Sequence, residues 1–286
     1  MTTTTQTTLR AGVVALDVAD LDRVAGFYRD ALGLQVRDAD GGTVRLGTGD
    51  RELVALHARP DAVPAPRASG LFHLALLYPS RGDLAEALLR LGRAGGRLDG
   101  ASDHLVSEAV YLRDPEGNGI ELYRDREREA WDWQDGSVAM ATLPLDLRDV
   151  LATARTSDPA PTAPDATTMG HVHLQVADLV PTRRFYVELL GFDVMTESYP
   201  GALFVATGGY HHHVGLNTWG SQGRPAVPGA RGLRHVTLEY ADATAREDAL
   251  LRLADVGLAP EDEVEDAPVV RDPSGNALRL ALVARP

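Results

Sequence analysis

The sequence predicts an α+β protein assembled from one βαβββ unit written four times, and three observations predict it. Residues 13–36, VVALDVADLDRVAGFYRDALGLQV, match residues 171–194, HVHLQVADLVPTRRFYVELLGFDV, in the frame V-A-D-L-x5-F-Y-x3-L-G-x2-V. A second pair matches as well: FHLALLYPSRGDLAEALLRLGRAGG followed by RDPEGNGIELY, and RHVTLEYADATAREDALLRLADVGL followed by RDPSGNALRLA. Within each unit, strand-like alternation flanks a single helix-like run, the pattern of a supersecondary repeat.

Unit 1 covers about residues 10–58. Val14, Leu16 and Val18 alternate as in a half-buried strand, Asp20 stands where it can cap a helix, and that helix ends at Gly33. Unit 2, residues 70–125, runs strand, helix, then an Asp-Pro-Glu-Gly-Asn turn into a last strand; each of those residue types favours turn geometry. Residues 127–168 contain TSDPAPTAPDATT and read as a linker, while Trp131 and Trp133 predict that its first part packs somewhere. Unit 3, residues 169–219, repeats the opening strand with Val172, Leu174 and Val176, caps with Asp178 and ends its helix at Gly191. It closes on GGYHHHVGLNTW, residues 208–219. Strand side chains alternate, so His211 and His213 share a face and His212 takes the other. Val214 and Leu216 form the apolar face, which puts His213, Gly215 and Asn217 on the polar one. Unit 4, residues 231–283, ends in an Asp-Pro-Ser-Gly-Asn turn. By chain order this gives a first domain over 9–126 (units 1 and 2), a linker over 127–168 and a second domain over 169–284 (units 3 and 4).

Composition narrows the function. The chain has no cysteine, so disulfides, thiolate ligands and cysteine nucleophiles are excluded and any metal must be held by nitrogen and oxygen. There is no lysine, which removes Schiff-base chemistry. A net charge of −13 repels polyanions, and no basic stripe with interleaved aromatics tracks a phosphate backbone, so nucleic acid is excluded as a partner. No run approaches the roughly 18 to 20 apolar residues of a membrane span, and the opening MTTTTQTTLR lacks a signal pattern. The expectation is a cytoplasmic protein without a membrane partner. Its oligomeric state is left open, a homo-oligomer among the options.

The V-A-D-L…F-Y…L-G frame and the D-P-x-G-N-x2-E ending resemble the vicinal oxygen chelate superfamily, the glyoxalase/bleomycin-resistance/dioxygenase fold. Four such units resemble its extradiol ring-cleaving dioxygenases of the catechol 2,3-dioxygenase type. The resemblance implies two open barrel-like cups, each made of two units, with a divalent metal inside held from first and last strands. Aligning the repeats gives Val13, His73, His171 and His235 as the inward first-strand positions, and Glu121 and Arg279 as last-strand positions. His73, Glu121 and His171 make a two-histidine, one-carboxylate set, which leaves open positions on non-haem Fe(II). At an effective dielectric near 20, a guanidinium about 4 Å from a divalent ion costs on the order of 8 kcal/mol, so Arg279 argues against a metal beside His235. The site therefore requires unit 2 to face unit 3 and unit 1 to face unit 4, whereas ring-cleaving relatives usually build theirs from units 3 and 4.

The resemblance further implies three catalytic residues: Tyr111, ten residues before Glu121; His104 in the loop before it; and His213 as acid–base group on the last strand of unit 3. His211 is a supporting residue on the same face, His173 and His235 are minor candidates, and His57 is structural. The expected reaction is Fe(II)-dependent extradiol cleavage of a small aromatic diol with O2, Mn(II) suiting the same ligands. The alternatives are a glyoxalase- or isomerase-like metalloenzyme and a small-molecule binding or resistance protein in the same cup.

Overall fold

The computed structural model of the chain describes residues 8–283. Unit 1 comprises β1 (Leu9–Val18), α1 (Leu21–Asp30), β2 (Gln35–Asp40), β3 (Thr43–Thr48) and β4 (Arg51–Ala58); unit 2 comprises β5 (Gly70–Leu77), α2 (Arg81–Arg93), β6 (Leu98–Asp103), β7 (Ser107–Arg113) and β8 (Gly119–Asp125). A connecting stretch holds the short β9 (Trp133–Gln134), β10 (Ser137–Val138), β11 (Leu143–Pro144) and α3 (Leu147–Leu151). Unit 3 has β12 (Thr168–Gln175), α4 (Leu179–Arg183), β13 (Asp193–Thr196), β14 (Ala202–Ala206) and β15 (Val214–Asn217); unit 4 has β16 (Gly232–Tyr240), α5 (Ala243–Asp255), β17 (Asp262–Val264), β18 (Ala267–Arg271) and β19 (Ala277–Leu282). The α+β class and the repeated unit are as the sequence predicts.

Helix starts follow the capping rule. The Asp20, Ser80, Asp178 and Asp242 side chains each accept a backbone N–H of the first turn, satisfying donors that have no partner within the helix. Unit 3 departs from its counterpart after α4: Arg184–Leu189 widens into a π-turn, with Leu190 N donating to Phe185 O at 3.0 Å. Arg252 Nε and Tyr240 OH donate to the carbonyls of Leu189 and Leu190 there, satisfying acceptors that a helix C-terminus leaves without partners.

Two curled sheets result. One runs β17-β18-β19-β16-β1-β4-β3-β2 and joins unit 4 to unit 1; the other runs β11-β6-β7-β8-β5-β12-β15-β14-β13 and joins unit 2 to unit 3. First strands pair antiparallel, with His73 opposite His173 and His171 opposite Ala75 in one sheet, and Ala15 opposite His235 in the other. Last strands lie parallel to first strands, placing Glu121 beside Ala75 and Arg279 beside Thr237. The boundaries 9–126 and 169–284 thus delimit stretches of chain, while each sheet is shared between them.

Alternation decides what each sheet buries. Val14, Leu16, Leu74, Leu76, Val172, Leu174, Val236 and Leu238 belong to one continuous core with the inner faces of the helices. The intervening residues line the concave sides. Units of the same half meet through the Asp-Pro-x-Gly-Asn turns. Asp114 accepts Glu116 N, Asn118 N and Asn118 Nδ2, and Asp272 accepts Ser274 N, Asn276 N and Asn276 Nδ2, with Gly117 and Gly275 at φ 92° and 87°. Their variable residue then reaches the neighbouring unit: Glu116 accepts Ala19 N and Asp20 N, and Ser274 Oγ accepts Ala177 N.

The 127–168 stretch does more than connect. Its β11 adds an edge strand to β6, and Trp131 is buried against Tyr210 and His211, as its aromatic content predicted; Trp133 stays exposed.

Candidate functional site

The concave face of the unit 2–3 sheet gathers His73 from β5, Glu121 from β8 and His171 from β12. His73 Nε2 lies 3.0 Å and His171 Nε2 3.2 Å from the same oxygen, Glu121 Oε2, and one donor atom from each residue falls within 4.8 Å of the others. All three are buried, and neither His73 Nε2 nor His171 Nδ1 has a hydrogen-bond partner. Burial pushes the His171 imidazole down to about 4, so it is neutral at pH 7 and carries a free lone pair. Burial works to raise Glu121, but the facing His171 and His73 outweigh it and hold its carboxyl well below the usual range. A neutral imidazole at His171 beside an ionised Glu121 carboxylate is what a cation requires of these two groups. With bonds of about 2.0–2.2 Å, adjacent donors at right angles on a metal stand about 3 Å apart. This donor set fits a divalent cation of intermediate softness.

Tyr111 and His104 stand beside it. Tyr111 is the ladder partner of Glu121 across β7 and β8. His104 Nδ1 bonds the carbonyl of Ala141 at 2.7 Å, so it must carry the proton, and Nε2 accepts from Tyr111 OH at 2.6 Å. Burial first, then Glu121, raises the Tyr111 phenol well above its ordinary value and keeps it protonated.

The histidine run is where the expected placement fails. His213 does not line the cavity above the three ligand candidates: its ring stacks on Tyr210 at 4.9 Å, and Thr207 N donates to its Nδ1. His212 lines the cavity instead, its ring 4.1 Å from that of His171. The reason is local. Regular strand begins only at Val214, and the irregular backbone over 210–213 breaks the alternation that assigned the faces. His211, read as a supporting residue, takes that part: its Nε2 bonds Asp125 Oδ1 at 2.9 Å and its Nδ1 meets His212 Nδ1 at 2.7 Å. With the Nε2–H given to the carboxylate, His211 Nδ1 accepts and His212 Nδ1 donates, leaving His212 Nε2 as an acceptor.

The cavity holds about 250 Å³ and is walled mainly by Phe72, Phe204, Trp219 and Tyr199. Met140 and Thr142 close one side from the 127–168 stretch, which carried no sequence signal for a pocket wall. His173, the minor candidate, lines it too, beside His73.

The unit 1–4 cup holds about 120 Å³. Val13 offers no donor there. Arg279 donates to the carbonyls of Val264 and Glu265 at 2.8 and 3.1 Å and pairs with the Glu265 carboxylate; Arg45 bridges Glu52 and Glu265 at 3.3 and 2.7 Å. His235 and His57 line the same space, and Thr43 Oγ1 meets His57 Nδ1. Among the described residues, His73, Glu121 and His171 are the group of metal-ligating type that converges.

The sequence pattern of the Glyoxalase/Bleomycin resistance protein/Dioxygenase superfamily matches residues 10–122 and 168–280. A catechol-2,3-dioxygenase of Bacillus subtilis (strain 168) is 39% identical over 274 residues, covering 93% of this chain and 94% of its own. A biphenyl-2,3-diol 1,2-dioxygenase of Rhodococcus globerulus is 31% identical over 136 residues, 45% of this chain and 72% of its own. Among solved structures, glyoxalase I from Zea mays superposes with a TM-score of 0.58 at 17% identity, covering 95% of this chain and 92% of that one. A Bacillus subtilis protein reaches a TM-score of 0.68 at 15% identity over 97% and 86%. At such identities these two structures speak for the fold alone.

Proposed function

Because this chain belongs to the Glyoxalase/Bleomycin resistance protein/Dioxygenase superfamily, we propose that it is a divalent-metal-dependent extradiol dioxygenase that opens the ring of a catechol with both atoms of O2. The observation that carries the reading is the meeting of His73, Glu121 and His171, the first two of which line an aromatic-walled cavity with the Tyr111 phenol and the imidazoles of His104, His173 and His212. Fe(II) is the proposed metal and the cytoplasm the proposed location. When bound, the metal would chelate the diol and bring O2 beside it.

The remaining chemistry belongs to side chains. His212 Nε2, held as an acceptor by the Asp125–His211 chain, takes a proton from the incoming diol and returns it later, the role the sequence assigned to His213. Tyr111 keeps its proton and presents a polar group toward the reacting oxygens, oriented by His104, whose own tautomer is fixed by Ala141 O. With that proton given to His104 Nε2, the Tyr111 oxygen meets the diol as an acceptor for a substrate O–H. Phe72, Phe204 and Trp219 hold the ring and exclude water.

The test is oxygen uptake by iron-loaded protein with catechol and its alkyl derivatives. One O2 consumed per catechol with a yellow ring-fission product is expected. Colourless cis,cis-muconate, or no uptake with any catechol, overturns the reading; isomerisation of a thiol adduct without O2 would point to the glyoxalase-like alternative.

A further inference from the structure

We infer that His173 is a fixed hydrogen-bond donor that selects catechols bearing a small neutral acceptor, such as an ether or carbonyl oxygen, on the ring. The inference rests on the ring-cleavage reading for the diol itself, and on a separate set of contacts for the substituent. His173 is 4% exposed, lines the cavity and bonds Asn217 Nδ2 through its Nε2 at 3.0 Å. The orientation of that amide is set on its other side, since Trp219 N donates to Asn217 Oδ1 at 3.1 Å. Asn217 therefore offers N–H to the imidazole, Nε2 must accept it, and the ring proton sits on Nδ1.

Nδ1 has no partner among the described residues and is not among the buried polar atoms sealed off without one. The ring is pinned flat over Gly215, where a Cβ would come within 2.9 Å of it, and Phe72, Phe204 and Trp219 pack around its edges. A donor immobilised this way, flanked by Phe72, Phe204 and Trp219, favours a ligand acceptor over an alkyl group of equal size. No arginine lines the cavity, so nothing compensates a carboxylate, and the favoured acceptor is uncharged.

The test compares 3- and 4-methoxycatechol with 3- and 4-ethylcatechol, read as kcat/KM and, without O2, as binding through quenching of tryptophan fluorescence, since Trp219 lines the cavity. For the wild type at least one methoxy isomer is expected to be preferred about tenfold over its ethyl isostere, the scale of one neutral hydrogen bond. His173→Leu should abolish the preference and His173→Gln should restore part of it. An equal methoxy-to-ethyl ratio in all three proteins, or binding of neither compound, overturns the inference. If His173→Leu does not fold, the wild-type ratio and His173→Gln decide. Preference without oxygen uptake would defeat only the dioxygenase reading, and uptake without preference only this one.

Discussion

The two cups have one architecture and opposite interiors. In the unit 2–3 cup, equivalent slots on first and last strands hold His73, His171 and Glu121; in the unit 1–4 cup they hold His235, Val13 and Arg279. One interior leaves imidazole and carboxylate atoms with few partners in about 250 Å³, and the other spends its charges on each other in about 120 Å³. Arg279 shows how the difference arises. Its guanidinium is consumed by the carbonyls of Val264 and Glu265, so it anchors the β17–β18 turn, where Glu265 and Asp266 adopt positive φ. A repeated fold can thus give its two cups different interiors by exchanging two side chains, His171 for Val13 and Glu121 for Arg279.

The strongest challenge to this contrast is ligand deletion. His73→Ala and Glu121→Ala are each expected to yield protein without tightly bound iron and without ring cleavage, whereas His235→Ala stays loaded and active; metal content after desalting is the measurement. Iron retained by Glu121→Ala and lost from His235→Ala would exchange the roles of the cups. Next in size is the choice within the histidine run. His212→Phe should keep its metal and lose about 10²- to 10⁴-fold in kcat, the usual contribution of a general acid–base group. His213→Phe should stay within about tenfold of wild type, because its ring faces Tyr210. Equal losses would return the acid–base role to His213.

Smaller effects belong to the other cup. Arg279→Met should leave metal content unchanged and lower stability by about 1–3 kcal/mol in denaturant unfolding, since it takes the guanidinium from the carbonyls of Val264 and Glu265. The mildest concerns pH. Burial first, then Arg279 and Arg234, pushes the His235 imidazole down to about 4. The unfolded chain therefore takes up a proton near pH 6.5 that the folded protein refuses until about pH 4, and stability falls as pH drops through that window. His235→Asn should flatten that part of the stability profile; an unchanged slope would mean that the buried imidazole contributes nothing to it.

How much of this was legible beforehand varies by element. The repeat supplied the α+β units and, through register, brought His73, Glu121 and His171 to equivalent slots, because a strand's period of two leaves little freedom once both ends are aligned. The charge at Arg279 foretold the crossed pairing of sheets. What failed was extrapolation beyond regular backbone: His212 and His213 exchange faces because residues 210–213 are not strand. The part played by Met140 and Thr142 was invisible, since their positions depend on where a long connection lies over the cup mouth and local pattern does not determine that.

The crossed sheets also set a timetable. The β1 edge is completed by β16, whose first residue, Gly232, is made 214 residues after Val18 (232 − 18). At about 5–20 residues per second of synthesis, that edge waits on the order of 10 to 40 seconds for its partner. During that interval β1, paired with β4 on one side, presents its other edge to any chain nearby, and β5, paired with β8, does the same until β12 is made. A polysome carrying several copies would place such edges side by side, so exchange of strands between chains is the error this topology invites, and holding the early half apart is what its synthesis requires.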